Sequence, residues 1–105
     1  MKEISVFELK EKLKLKEDLT IVDVREQDEI ERAKIDGTTH IPMGDIPKRI
    51  SELSYNDELV IMCKSGGRSA RVCEYLTNNG FKNVTNLSGG ITAWAEHIDR
   101  SVETY

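Results

Sequence analysis

A chain of 105 residues has the size of one ordinary domain and is too short for two cores of normal size. Its 15 Lys and Arg against 19 Asp and Glu leave a net charge of −4, poor footing for neutralising the phosphates of a nucleic acid. A content of 38% apolar and 32% charged residues suits a globular domain, and no run approaches the roughly 18 apolar residues of a membrane helix, so neither nucleic acid nor membrane is expected as a partner.

Met1-Lys2-Glu3 opens the chain without the apolar core and cleavage site of a signal peptide, so a cytoplasmic address with reduced thiols is expected. Val6, Leu9 and Leu13, with Phe7 alongside, form one stripe of a helix over Ile4 to Lys16. Ser5 and Glu8 stand at capping-box spacing, and Ile4 and Leu9 at the spacing of a hydrophobic staple. Leu19, Ile21, Val22 and Val24 read as a buried strand. Glu26 to Lys34 reads as a short solvated helix closed by an Asp36-Gly37 turn. Ile41-Pro42 fits only a short or edge strand, because proline has no donor for a ladder. Asp45 then stands where it would cap a helix bearing Ile46, Ile50 and Leu53.

Leu59 to Met62 is a second apolar strand, and Ser69, Val72, Cys73 and Leu76 mark the inner stripe of the helix after it, which ends at Asn79-Gly80. Lys82 to Leu87 reads as a further strand. Ser88-Gly89-Gly90 introduces a last helix carrying Ile91, Trp94, Ala95 and Ile98 on one face. Ser101 to Tyr105 is expected as a loose tail beyond a core of about 4 to 98, the whole 1–105 forming one domain. Strands alternating with helices predict the α/β class, with a central, mostly parallel sheet covered by helices on both faces through right-handed crossovers.

Between Met62 and the helix lies Cys63-Lys64-Ser65-Gly66-Gly67-Arg68-Ser69, a strand-loop-helix whose first loop residue is a thiol. Ligands of open α/β sheets bind beyond the carboxyl ends of strands, and a helix starting there presents unpaired N–H groups and the positive end of its dipole. The Gly66-Gly67 pair lets the amides converge, Lys64 and Arg68 add two positive charges, and this field favours the thiolate of Cys63 as a nucleophile. Cys73 falls between Val72 and Leu76 on the apolar stripe, a core position rather than a resolving thiol. His40 and His97 have no Cys or Asp partner in sequence and read as satisfied or exposed rather than as bases. The cysteines and histidines make no metal-ligand spacing or disulfide framework, and no metal or cofactor is expected.

The heptapeptide from Cys63 to Ser69 resembles the active-site loop of the rhodanese family, sulfurtransferases that carry sulfur as a cysteine persulfide. Asp23-Val24-Arg25-Glu26, then Glu29-Ile30, Ile35-Asp36-Gly37 and Ile41-Pro42, is similar to that family's amino-terminal motif. Leu87-Ser88-Gly89-Gly90-Ile91-Thr92-Ala93-Trp94 resembles its carboxyl-terminal one. The likeness runs from about Ile4 to His97. Ala33-Lys34 departs from the family's usual Gly-His, and His40 from its usual Asn, which bears on local turns more than on the loop.

The resemblance implies a rhodanese-like fold and a two-step transfer. Cys63 takes sulfur from a small anionic donor such as thiosulfate, and a thiol or a protein acceptor then removes it. Lys64, Ser65, Gly66, Gly67 and Arg68 would bind the donor, with Asp23, Arg25 and Ser69 in support, Asp23 and Arg25 reading more readily as a structural ion pair. The net acidity of the chain opposes the approach of thiosulfate, leaving the attraction to local charge. Family phosphatases place five residues between nucleophile and arginine. Here Lys64 to Gly67 make four, which favours sulfur over phosphate or arsenate chemistry. A second reading is a persulfide relay to a partner protein; a non-catalytic module is disfavoured by the presence of Cys63. With no tandem domain to wall the site, Cys63 is expected to be accessible to a protein acceptor.

Overall fold

The computed structural model describes all residues from Met1 to Tyr105. Five strands run in the order β1 (Lys2–Ile4), β2 (Thr20–Asp23), β3 (Thr39–His40), β4 (Leu59–Met62) and β5 (Val84–Leu87). They form one sheet with spatial order β1-β5-β4-β2-β3, and every pairing is parallel. The helices are α1 (Val6–Lys14), α2 (Gln27–Arg32), α3 (Ile46–Arg49), α4 (Gly67–Asn78) and α5 (Gly90–His97).

Strand periodicity divides the core into two layers. Leu59, Ile61 and Val84 face a cluster with Ile46 of α3 and Val72, Cys73 and Leu76 of α4. Val60, Met62 and Leu87 face the other side, against Val6 and Leu9 of α1 and Ile91 and Trp94 of α5. Buried on both faces, β4 is apolar throughout, as a central parallel strand requires. The α/β reading with helices on both faces is the fold found.

Local features follow sequence chemistry closely at the start of α1. Ser5 Oγ accepts from the Glu8 N–H at 3.1 Å, and Glu8 Oε1 accepts from the Ser5 N–H at 3.0 Å. Before that cap lies β1, which the helix pattern from Ile4 obscured; three residues with a mostly exposed pattern carry no strand signal until β5 supplies their ladder. The edge strand sits at Thr39–His40 rather than Ile41-Pro42. Pairing continues irregularly beside β2, with the Ile41 N–H on Asp23 O and the Met43 N–H on Val24 O, and Pro42 between them has no N–H for a regular ladder.

Asp45 does not cap its helix. It ends a 3-10 turn, Met43–Asp45, with helical backbone (φ −94°, ψ −8°), so it lacks the extended geometry that aims a cap oxygen at the following amides. Its carboxylate lies instead 3.3 Å from Lys48 Nζ. Nor is the tail loose: Val102 and Tyr105 pack against the α1/α5 layer.

Candidate active site

β4 and β5 are neighbours whose following helices leave toward opposite faces of the sheet, so a crevice opens between their carboxyl ends. Cys63 sits at the end of β4, and its loop curls back over the sulfur. The Gly66 N–H donates to Cys63 Sγ at 3.1 Å and the Ser69 N–H at 3.4 Å, while Ser69 Oγ lies 3.3 Å away. This inward turn needs Gly66, whose φ of +116° few side chains tolerate. Gly67 is different: its φ is ordinary and a Cβ there would meet open space. Of the two glycines, only the first shapes the loop.

The outward-facing carbonyls of the loop are held by the next helix. The Ile91 N–H donates to Cys63 O at 3.0 Å and the Thr92 N–H to Lys64 O at 3.1 Å, so the free amides of the α5 amino terminus pin the loop's carbonyls. Gly90 makes this approach possible, because a Cβ there would overlap the carbonyl oxygens of Cys63 and Lys64. With carbonyls fixed outward, the loop's N–H groups are left for the sulfur.

Asn86 braces the same loop from β5. Its Nδ2 donates to Gly66 O at 3.2 Å, and its Oδ1 accepts from the Ser69 hydroxyl at 2.5 Å. Burial opposes ionisation of Cys63, yet the hydrogen bonds it makes with Ser69, Gly66 and Ser65 outweigh it, holding the thiol below its ordinary value. Cys63 is 1% exposed, so the expectation of an open thiol does not hold: strand end, loop and α4 enclose it. Burial pushes the Cys73 thiol the other way, up to about 12.

Neither loop cation is free. Arg68 makes a two-pronged ion pair with Glu29 of α2, at 2.6 and 2.9 Å, and Lys64 Nζ stands 4.7 Å from the centre of the Tyr105 ring. Asp23 and Arg25 are both fully buried and joined at 2.8 Å; Arg25 also donates to Ala33 O and to the Tyr105 hydroxyl. They touch the loop only through Tyr105 and Glu29. Ser65 is exposed and contributes its amide alone. His40 is satisfied by Arg25 O at 2.6 Å, and His97 is exposed beside Phe7.

Glu29, Asn86, Gly90 and Tyr105 are the site residues that sequence reasoning did not single out. Glu29 and Gly90 lie inside the motifs quoted above but carried no role there, and Tyr105 gave no signal.

A family model described as Rhodanese-like domain matches residues 5–97. The chain belongs to the rhodanese-like domain family. The rhodanese-like chain is 47% identical over 94 residues to YtwF of Bacillus subtilis, provisionally named a sulfurtransferase, covering 90% of each. It is 42% identical over 95 residues to a sulfurtransferase of Allochromatium vinosum, covering 90% of this chain and 89% of that one. A crystal structure of a rhodanese-like domain protein from Staphylococcus aureus superposes with a TM-score of 0.87 at 38% identity, covering 100% of this chain and 99% of that one. The rhodanese-like fold thus extends over the whole chain, Cys63 loop included.

Proposed function

We propose that this rhodanese-like domain is a sulfurtransferase that carries sulfur as a persulfide on Cys63. The observation that supports this reading is the convergence of the Gly66 and Ser69 amides on Cys63 Sγ, at 3.1 and 3.4 Å, at the amino terminus of α4. In the first step the Cys63 thiolate attacks the outer sulfur of a sulfane donor such as thiosulfate. The sulfur–sulfur bond of the donor breaks, sulfite leaves with its electron pair, and the Cys63 persulfide anion remains. In the second step an acceptor thiolate attacks the outer persulfide sulfur and the Cys63 thiolate departs.

Amides already aimed at the thiolate stabilise negative charge on the attacking sulfur without reorganisation. The loop places four residues, Lys64 to Gly67, between thiol and arginine, one fewer than family phosphatases have, and Arg68 turns to Glu29 rather than to the sulfur, both of which favour sulfur over phosphate. The near-complete burial of Cys63 favours the relay form of this activity, in which the persulfide is held away from water until a partner's thiol takes it.

Intact-mass measurement after incubation with a sulfane donor tests the reading. The expected result is one added sulfur in the wild type and none in Cys63→Ser; an adduct that survives Cys63→Ser, or no adduct at all, would refute it.

A further inference from the structure

Two cations flank Cys63, and both are already engaged. Glu29 takes Arg68 with both carboxylate oxygens, and the Tyr105 hydroxyl donates to the same carboxylate at 2.7 Å while accepting from Arg25 Nη1 at 2.8 Å. The face of the Tyr105 ring receives Lys64 Nζ at 4.7 Å. Tyr105 thus ties the carboxylate that holds one loop cation to the ring that holds the other. Charges at the site then balance: Lys64 and Arg68 are offset by the Glu29 carboxylate and the Cys63 thiolate, Arg25 by Asp23, and Arg32, 5.7 Å from the centre of the same Tyr105 ring, by Glu103 at 3.4 Å. Arg71, the next cation along α4, lines a separate groove with Met43, Ile46, Pro47, Val72 and Tyr75.

A dianion entering this site meets no surplus positive charge: salt screens its approach to a chain of net charge −4, but not its contact with Glu29 and the thiolate, which lies inside the screening length of about 8 Å at physiological ionic strength. We propose that Glu29 and Tyr105 form a clamp on the loop cations that selects hydropersulfides carried on a thiol over thiosulfate as the sulfur donor. The inference rests on the Cys63 persulfide reading and assigns its donor class. The Cys63 thiolate attacks the outer sulfur of R–S–SH, the donor's sulfur–sulfur bond breaks, R–S⁻ leaves with the electron pair, and Cys63–S–SH keeps the proton. The protonated donor R–S–SH brings no charge to the reacting sulfurs, whereas thiosulfate brings two. Glu29 and Tyr105 act as positioning residues, through Lys64 and Arg68.

The test compares rates of one-sulfur loading of Cys63, by quenched intact mass, with thiosulfate and with cysteine hydropersulfide at equal concentration near neutral pH. The hydropersulfide is expected to load at least about tenfold faster in the wild type, and Glu29→Gln to shift the ratio of the two rates toward thiosulfate by about tenfold, the lower end of field effects on charged ligands. Salt supplies a readout that a merely structural role would not move. Thiosulfate loading should speed up with salt in the wild type, where repulsion is screened, and slow down in Glu29→Gln, where attraction is screened. Tyr105→Phe, which keeps the ring under Lys64 and loses the hydroxyl, should fall between wild type and Tyr105→Leu in that ratio.

A peptide bearing one persulfidated cysteine separates the sources: faster loading than from cysteine hydropersulfide assigns a protein donor, slower loading a small thiol. Thiosulfate loading the wild type as fast as the hydropersulfide, or an unchanged ratio and salt response in folded Glu29→Gln and Tyr105→Leu, would overturn the clamp while leaving the Cys63 persulfide standing. Absence of an adduct from both donors removes the clamp and the Cys63 persulfide together.

Discussion

Cys63 and Cys73 belong to the same buried cluster, 1% and 2% exposed, and differ in what reaches their sulfurs. Two amides converge on the first; desolvation dominates at the second. Burial alone says little about a thiol's reactivity, and the donors around it decide. Cys73→Ala is expected to lower stability by about 1–2 kcal/mol, within the usual range for a core truncation, and to leave sulfur loading of Cys63 intact. Chemical denaturation together with intact-mass loading checks both halves; lost loading in a folded variant would give Cys73 a role in transfer. The difference between the cysteines is legible in sequence, because Cys63 follows a strand into a glycine loop and Cys73 sits on a helical stripe. The state of Lys64 and Arg68 is not, since Glu29 and Tyr105 lie 39 and 41 positions from the loop residues they engage.

At the scale of elements, the site depends on the amino terminus of α5 as much as on that of α4. The first helix aims amides at the sulfur; the second holds the loop's carbonyls away from it. Gly90 is where they meet, with a φ of +56° and no room for a Cβ. Gly90→Ala is therefore expected to cost about 1–3 kcal/mol through backbone strain, with the overlap of its Cβ on two backbone carbonyls added to that, and to slow Cys63 alkylation at neutral pH because the amides lose their aim. Thermal unfolding and a pH series of iodoacetamide reactivity measure the two effects. Gly67→Ala is the contrasting variant, expected to hold or raise stability by about 0.4–1 kcal/mol, because its backbone suits alanine and the unfolded chain loses freedom. The glycine pairs are visible in sequence, but which member of each is required is not. That depends on a backbone dihedral and on a neighbour brought in by the sheet.

Over the whole molecule, one chain of contacts links the end of β2 to the loop: Asp23 to Arg25, Arg25 to Tyr105, Tyr105 to Glu29, Glu29 to Arg68. It gives the protein a pH signature. The Arg68 guanidinium holds the Glu29 carboxyl down to about 2 from its ordinary 4.5, against some burial, so this pair adds stability above pH 4.5 that is lost as pH falls toward 2. Cys73 acts at the other end: its thiol is raised from 9 to about 12, so stability declines between pH 9 and 12 as the unfolded chain ionises first. Melting temperature against pH should show both limbs, with the acid limb flattened in Glu29→Gln and the alkaline limb in Cys73→Ala; unchanged limbs would place their causes elsewhere.

The sequence by itself determined the α/β class, four of the five strands in outline, the inner stripe of α4 and the thiol loop, because each is written in residues close together along the chain. Period, cap and turn are local properties. Only the tertiary structure decided that the loop's two cations are already paired, that Cys63 lies covered, that Asn86 and Gly90 shape its cradle, and that Tyr105 closes the network. Those outcomes depend on where parallel strands bring distant segments together, and spacing along the chain holds no record of that proximity.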